Sequence, residues 1–190
     1  MRIILASKSP RRRMLLSEIV DDFEILTKET DETLPVGLPM DLAVTEIAVR
    51  KGRAIADDVG EEALVISSDT LVEIDGVPLG KPRDKEDAVR MLHLLSGKTH
   101  NVHTGVAVHY RGRLYKGVDT SFVTFRELSD QEILEYADGG EPLDKAGSYA
   151  IQGNGAKFVS GYTGDFNAIV GLGLSLTKTL MEEALKNDSK

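Results

Sequence analysis

The stretch that decides the fold class lies near the N-terminus: Ile3-Ile4-Leu5-Ala6-Ser7-Lys8-Ser9-Pro10-Arg11-Arg12-Arg13-Met14-Leu15-Leu16. Its first four residues are apolar and predict a short buried strand, whereas Met14–Leu16 together with Ile19 predict one face of a helix. Pro10 is favoured at the first helical position, and Ser9 before it is favoured as the N-cap. The sequence therefore predicts a strand that turns directly into a helix, as in α/β folds.

Three arginines, Arg11, Arg12 and Arg13, stand in the first turn of this predicted helix. The N-terminus of a helix has unpaired N–H groups and the positive end of the dipole, so it favours an anion over more cations. A bound polyphosphate would supply the negative charge that this arrangement lacks. A solvated basic turn is the alternative, and this stretch alone does not separate the two interpretations.

Length and charge limit the class of protein. A chain of 190 residues forms one large domain or two small lobes, and 41% hydrophobic with 28% charged residues is ordinary for a soluble globular protein. The formal net charge of −8 argues against a nucleic-acid polymer as partner. A local basic cluster in an acidic protein instead indicates a small, highly charged ligand.

Several sequence features are absent, and each absence excludes a class or a location. The chain has no cysteine, which excludes disulfide scaffolds, thiolate metal sites and cysteine nucleophiles. It also lacks the Gly-x-x-x-x-Gly-Lys-Ser/Thr loop of P-loop NTPases and the Gly-x-Ser-x-Gly elbow of α/β-hydrolases. Without a membrane-length apolar run or a signal-peptide core, we expect a cytoplasmic protein with no membrane partner. The sequence leaves a homodimer open.

The order of apolar runs and turn signals predicts a mixed α/β fold. The predicted strands are 3–6, 23–26, 63–66, 71–74, 77–79, 101–110, 114–125 and 166–170, with a further hairpin over 157–162. The predicted helices are 10–19, 40–56, 85–95, 129–137 and 175–186. We expect a mixed, twisted sheet with flanking helices in a single domain, 1–190, whose two lobes surround a central cleft.

Asp69 is the best candidate for a catalytic residue. It follows the apolar run 63–66, and in open α/β sheets ligands gather at the carboxyl ends of strands. The hydroxyls of Ser67, Ser68 and Thr70 beside it are suited to orient a carboxylate, a water or a base. Such a carboxylate accepts a proton from water or helps to hold a divalent ion. A polar strand end leading into a turn is the alternative.

Two further segments carry groups suited to a nucleotide. Gly80-Lys81-Pro82 places one lysine on a constrained loop, and Lys81 with Arg11, Arg12 and Lys51 would match the charge of a triphosphate. Each lysine taken singly is more simply a solvated surface group.

In the segment Glu141–Gly153, Gln152 offers a donor and an acceptor to a base edge, Lys145 suits phosphate and Asp144 suits a metal. The glycines of the segment permit close approach of the backbone to a ligand. A polar loop with glycine at its turns is the alternative interpretation.

Four motifs in this order and at this spacing resemble the Maf family. They are Ser7-x-Ser9-Pro10-Arg11-Arg12, Ser68-Asp69-Thr70, Gly80-Lys81-Pro82 and Asp144-Lys145-Ala146-Gly147-x-Tyr149-x-Ile151-Gln152-Gly153. The similarity covers nearly the whole chain. It implies a nucleoside triphosphate pyrophosphatase that cuts between the α- and β-phosphates and needs Mg²⁺ or Mn²⁺. It also implies a two-lobed fold related to the house-cleaning inosine triphosphatases, with the substrate in the cleft.

The resemblance implies a role for individual residues. Asp69 matches the proton acceptor. The positions linked to base selectivity are Arg11, Thr70 and Gln152, and those near phosphate are Ser9, Arg12, Lys51 and Lys81. The carboxylates expected at the metal are Asp31, Glu32 and Asp69, with one acid of the Asp31-Glu32 pair matching the family position.

The combination of Asp69-Thr70 with Ile151-Gln152-Gly153 is similar to the branch acting on dTTP and UTP rather than on 7-methyl-GTP. Two departures from the family pattern stand out. Ser67-Ser68 replaces a common Gly-Ala, and Asp31 replaces a longer Glu.

The implied reaction is in-line attack of water on the α-phosphorus, with Asp69 as proton acceptor and pyrophosphate as leaving group. A different class of function is compatible with the same basic loop. The family name comes from septum inhibition, so the alternative is a nucleotide-binding regulator of cell division without relevant catalysis. That alternative explains phosphate binding but does not require Asp69.

Overall fold

A computed structural model describes residues 1–186, and its mixed α/β architecture confirms the predicted fold class. Within these residues, the strands are β1 (Arg2–Leu5), β2 (Glu24–Ile25), β3 (Ala63–Ile74), β4 (Val77–Leu79), β5 (Thr99–Tyr110), β6 (Arg113–Phe125) and β7 (Val159–Thr163). The α-helices are α1 (Pro10–Leu16), α2 (Met40–Val59), α3 (Lys85–Leu95), α4 (Asp130–Asp138), α5 (Phe166–Val170) and α6 (Leu174–Lys186). The sheet has the strand order β2-β1-β3-β5-β6-β7, and β4 pairs with β3.

The chain divides into two compact units. Unit 1 comprises Met1–Asp69, Thr104–Asp119 and the chain from Gly171 onward. Unit 2 comprises Thr70–His103 and Thr120–Val170. That these units form one domain around a central cleft stays a prediction.

Unit 1 is built on a parallel core with one long helix against it. β1 pairs in parallel with both β2 and β3, and its last pair with β3 joins Leu5 to Ile66. Helix α2 lies close to this sheet because Gly52 has no side chain. A Cβ at that position would stand 2.5 Å from Ser67 Oγ and 2.7 Å from His109 Cδ2. This close approach also brings Lys51, the residue before Gly52, next to β3.

Unit 2 has an aromatic core beside two helices. Phe125 packs edge-to-face on Tyr149 with 4.7 Å between ring centroids, and Tyr136 packs on Phe158 at 4.9 Å. Rings in this arrangement add about 0.5–1.5 kcal/mol per pair beyond their buried area. This cluster includes Tyr149 of the Gly-rich segment that follows α4, and Tyr136 of α4 binds the same segment through its hydroxyl.

Turns and caps follow the sequence signals closely. Asp75-Gly76 joins β3 to β4 with φ of 51° and 78°, and Arg111-Gly112 joins β5 to β6 with φ of 49° and 68°. Two consecutive positive φ values are typical of the type I′ hairpin turn. The helix caps were also predicted correctly: Ser9 caps α1, Asp84 caps α3, and Ser129 with Glu132 forms the capping box of α4.

Several predicted elements differ from those in the structure. The first helix ends at Leu16 rather than at Ile19. The predicted hairpin over 157–162 is instead a 3₁₀ turn, Asn154–Phe158, followed by the single strand β7, which pairs antiparallel with β6. Phe166–Val170 is helix α5 rather than a strand, because the Asp165 carboxylate accepts from the N–H groups of Asn167 (2.7 Å) and Ala168 (3.1 Å) and so starts a helix.

Across residues 1–186, none of the helices combines the length and the apolar character needed to cross a bilayer.

Candidate functional site

Asp69 lies inside a long strand and not at its end. The prediction that the strand stops at Ile66 is wrong, because β3 continues to Ile74. The polar pair that suggested a strand end is satisfied internally: Ser67 Oγ donates to Ala48 O (2.7 Å), and Ser68 Oγ donates to Gly171 O (2.6 Å). Its parallel neighbour β1 does end at the Leu5–Ile66 pair, so Asp69 stands three residues beyond the last pair with β1.

An ammonium group is held between two carboxylates beside this strand. Lys51 Nζ on α2 lies 2.6 Å from Asp69 Oδ1 and 3.0 Å from Glu32 Oε1. The side chains of Lys51 and Asp69 are each only 16% exposed, whereas Glu32 is 55% exposed. The structure therefore brings Lys51, Glu32 and Asp69 together, with one cation already among the acids.

Asp31 has a different set of partners from Glu32. Its Oδ1 accepts from the Thr33 N–H (2.8 Å), and its Oδ2 lies 3.5 Å from Arg50 Nη1. The hydrogen bonds from Thr33, with a smaller contribution from the Arg50 charge, lower the pKa of the Asp31 carboxyl. Within residues 1–186 no group of three or more acidic or histidine side chains is arranged to hold a metal ion. Of the three predicted metal carboxylates, Glu32 and Asp69 share one cation and Asp31 binds elsewhere.

Helix α1 brings its basic residues to the same part of unit 1. Arg12 Nε donates to Gly171 O (2.9 Å), and Ser9 Oγ accepts from the Arg12 N–H as the N-cap (3.4 Å). Burial lowers the pKa of the Arg12 guanidinium; the negative charge of Asp69 opposes this, and the positive charge of Arg11 adds to it. The charge of Asp69 therefore acts on the Arg12 guanidinium, which places a cation and a carboxylate in the same part of unit 1.

The carbonyl of Gly171 is a site feature that the sequence did not reveal. It accepts from Arg12 Nε and from Ser68 Oγ, and so ties α1 to β3 next to Asp69. Gly171 has φ of 137°, a conformation that other residues rarely adopt. The two glycines of Gly171-Leu172-Gly173 were visible in the sequence. The sequence does not show, however, which backbone oxygen takes part in a site, because every residue has one.

The remaining predicted residues, Thr70, Lys81 and Gln152, belong to unit 2. The loops that carry Lys81 and Gln152 are joined by one backbone hydrogen bond, from Gly147 N–H to Gly80 O (3.1 Å). Both side chains are exposed. Their roles toward phosphate and base, like that of Thr70, stay predictions.

Comparison with known proteins extends these observations. A family model described as "Maf-like protein" matches residues 2–184. A protein of Thermococcus kodakarensis named dTTP/UTP pyrophosphatase is 42% identical over 180 residues, covering 95% of each chain. A protein of Clostridium beijerinckii with the same name is 42% identical over 187 residues, covering 96% of this chain and 99% of its own. A third, from Bacillus cytotoxicus, is 45% identical over 172 residues, covering 90% and 89%.

A solved structure shares the fold at low sequence identity. The HAM1 protein of Coxiella burnetii aligns with a TM-score of 0.53 at 16% identity, over 97% of this chain and 100% of that chain. At this identity the likeness concerns the α/β fold alone.

Proposed function

Because this chain belongs to the Maf family, we propose that it hydrolyses dTTP and UTP to the nucleoside monophosphate and pyrophosphate. The family resemblance predicted from four motifs is confirmed by the match over residues 2–184. Relatives that are 41–45% identical over most of this chain are named dTTP/UTP pyrophosphatase. The proposal includes a house-cleaning role in the cytoplasm, while the homodimer stays a prediction.

The observation that carries the proposal is the Lys51–Asp69 pair within unit 1. A largely buried carboxylate is held at 2.6 Å by an ammonium and has Arg12 in its electrostatic surroundings. Asp69 would accept a proton from the water that attacks the α-phosphorus. The α–β anhydride bond then breaks, and pyrophosphate leaves with the bonding electrons. Arg12, Lys51 and Lys81 would bind the phosphates, and Arg11, Thr70 and Gln152 would select the base.

Two of the three carboxylates predicted at the metal, Glu32 and Asp69, are placed to bind a divalent cation. Glu32 and Asp69 both bind one positive group, the Lys51 ammonium, and carboxylate oxygens are the ligands that Mg²⁺ and Mn²⁺ prefer. We therefore propose Glu32 and Asp69 as the protein ligands, with Asp31 outside the set because it binds Arg50. When bound, such an ion offsets the negative charge on phosphate oxygens.

The products of UTP hydrolysis test the proposed function. We expect the protein with Mn²⁺ or Mg²⁺ to convert UTP to UMP and pyrophosphate in equal amounts, measured by chromatography and an enzymatic pyrophosphate assay. Release of orthophosphate and UDP would instead make the protein a γ-phosphatase. Binding of UTP without turnover would favour the nucleotide-binding regulator of cell division.

A further inference from the structure

Gln152 lies on a tight turn whose two ends are bound to side chains. The Gly153 N–H donates to Ala150 O (3.1 Å), so that Ile151 and Gln152 are the central residues of a β-turn. Gln152 is exposed, whereas Tyr149 before the turn and Gly155 after it are buried. An exposed side chain on a two-residue turn has a defined position only if the ends of the turn are held.

The Glu141 carboxylate holds one end of this turn directly. Its Oε1 accepts from the Asn154 N–H (3.1 Å), and its Oε2 accepts from the Gly155 N–H (3.2 Å) and from Tyr136 Oη (2.6 Å). The other end is held through the tyrosine, because the Ala150 N–H donates to Tyr136 Oη (3.3 Å). One carboxylate and one phenol therefore bind the backbone on both sides of Gln152.

The packing around this pair leaves no room for a side chain. A Cβ on Gly153 would overlap the Glu141 carboxylate. A Cβ on Gly155 would lie 2.8 Å from Tyr136 Oη and 2.9 Å from Ala150 O. Both glycines are thus needed where the backbone rests on the polar pair.

The protonation states of the pair support the same arrangement. Burial raises the pKa of Glu141, but the hydrogen bonds from Tyr136, Asn154 and Gly155 together lower it by more. The pKa of Glu141 therefore lies below its ordinary value. Burial and the neighbouring Glu141 raise the pKa of Tyr136. At neutral pH the carboxylate is therefore an ionised acceptor and the phenol a donor, and charge-assisted bonds of this kind are the stronger class.

We propose that Glu141 is a positioning residue for base selectivity, which acts by fixing the 150–153 turn and with it the Gln152 amide. This inference rests on the proposed function, in which Gln152 reads the pyrimidine base. Glu141 itself does not contact the substrate in this scheme. Its effect is confined to how well the enzyme distinguishes UTP from purine nucleotides.

The variant Glu141→Gln tests the inference because it keeps the size of the side chain and replaces one oxygen with an N–H₂ group. That group would face N–H and O–H donors, so the turn loses its fixed position. We expect kcat/KM for UTP to fall about tenfold, mainly through KM, with ATP changing less than about twofold. The UTP/ATP ratio should therefore fall about tenfold.

Glu132→Gln is the matched control within unit 2. Glu132 also accepts from a backbone N–H, that of Ser129 (3.1 Å), and pairs with Arg126 at 2.5 Å, but it caps α4 instead of holding the turn. We expect this control to lower the melting temperature and to leave the UTP/ATP ratio unchanged. Tyr136→Phe frees the Ala150 N–H and removes one hydrogen bond to Glu141, but it leaves the bonds from Asn154 and Gly155 to Glu141 in place. It should lower the ratio by a smaller factor, and it also carries the test if Glu141→Gln fails to fold.

A double variant separates positioning from general bracing. In a Gln152→Ala background, Glu141→Gln should change the UTP/ATP ratio by less than about twofold, because no amide is left to position. If Glu141→Gln lowers the melting temperature but keeps the ratio of the parent, Glu141 is only a brace and the inference is overturned. An equal effect with and without Gln152 would overturn it as well.

Binding measurements keep this inference distinct from the proposed function. Isothermal titration with α,β-methylene analogues of UTP and ATP gives the same selectivity ratio from Kd values, without turnover. If the parent does not release pyrophosphate, the proposed function is wrong. The ratio of Kd values for the UTP and ATP analogues in Glu141→Gln would still decide the role of Glu141. A parent with no preference for the UTP analogue would refute the inference.

Discussion

The carboxylate of Asp69 combines restricted solvent access with a fixed orientation. Its side chain is 16% exposed, and Lys51 Nζ holds Oδ1 at 2.6 Å. A carboxylate fixed in this way does not need to be reoriented when water attacks phosphorus, which is the advantage of preorganised groups in active sites. The exposed pair of Lys28 and Asp58 in the same unit has the same chemistry without this restriction.

The substitution Asp69→Asn should separate catalysis from binding. The amide is nearly the same shape but does not accept the proton of the attacking water, so we expect kcat for UTP to fall by about 10²–10⁴-fold. KM should stay within about threefold when Mg²⁺ or Mn²⁺ is saturating, because the cationic side chains Arg12, Lys51 and Lys81 still bind the phosphates. Steady-state pyrophosphate release measures both constants, with circular dichroism to show that the variant is folded.

Asp58→Asn is the matched control for that experiment. It removes a carboxylate that is 56% exposed and bound to Lys28, and it should leave kcat unchanged. If Asp69→Asn retains more than about a tenth of the kcat of the parent, Asp69 is not the proton acceptor.

Individual charged residues of unit 1 were predictable, whereas their connections were not. Asp69 was selected because it follows an apolar run, and Arg12 because it lies in the first turn of a helix. Lys51 was selected as one of a set of cations suited to phosphate. The grouping of Glu32 rather than Asp31 with Lys51 depends on how the loop before α2 folds, which the sequence pattern does not determine. Gly171 was missed because its carbonyl oxygen, common to every residue, is the functional group.

Among the helices and turns, the sequence predictions were correct where the structure is decided by residues close together in the chain. The Ser9 cap and the Asp75-Gly76 turn are decided by short-range hydrogen bonds and φ values, and both formed as predicted. The apolar run Phe166–Val170 suited a strand equally well, but the Asp165 cap before it starts a helix. Within β3, the side chains of Ser67 and Ser68 bind distant backbone carbonyls at Ala48 and Gly171, which no local pattern shows.

The contact between the loop that carries Lys81 and the loop that carries Gln152 depends on one glycine. Gly147 has φ of 68°, and a Cβ there would lie 2.8 Å from Val72 Cγ2 on β3. We expect Gly147→Ala to lower the free energy of unfolding by about 2–4 kcal/mol, about 1 from the left-handed backbone and the rest from the overlap with Val72. Urea unfolding followed by circular dichroism measures the change.

Gly140→Ala isolates the backbone part of that cost. Gly140 has φ of 74° in the same segment, but a Cβ there would have no heavy atom within 4 Å. We expect a loss of only about 1 kcal/mol. Equal losses for the two variants would show that the contact with Val72 is not what makes position 147 require glycine.

For the molecule as a whole, a buried histidine links stability to pH. His100 is 2% exposed, its Nε2 lies 2.8 Å from Tyr149 Oη, and its ring packs edge-on against Phe125. Its Nδ1 is buried without a hydrogen-bond partner among the described residues. Burial lowers the pKa of His100 from 6.5 to about 4, so the imidazole is neutral in the folded protein at pH 7.

The folded protein should therefore lose stability as the pH falls from about 6.5 to about 4. In this window the unfolded chain binds a proton at His100 and the folded chain does not, so the stability is complete above pH 6.5 and the loss levels off below pH 4. Between pH 7 and pH 5 the loss from this residue is about 2 kcal/mol. Asp87 and Glu132, whose pKa values fall to about 2 through hydrogen bonds chiefly with Arg90 and Arg126, act only at lower pH.

His100→Phe should remove this part of the acid sensitivity, because the aromatic packing stays and the titrating ring is gone. We expect the free energy of unfolding to fall by about 2 kcal/mol less between pH 7 and pH 5 than in the parent, measured by urea unfolding at both pH values.

His109, whose pKa burial also lowers, is present in both proteins and cancels in the comparison. An identical pH dependence in His100→Phe and the parent would show that the acid sensitivity arises from other groups, and that His100 takes up its proton as readily in the folded protein as in the unfolded chain.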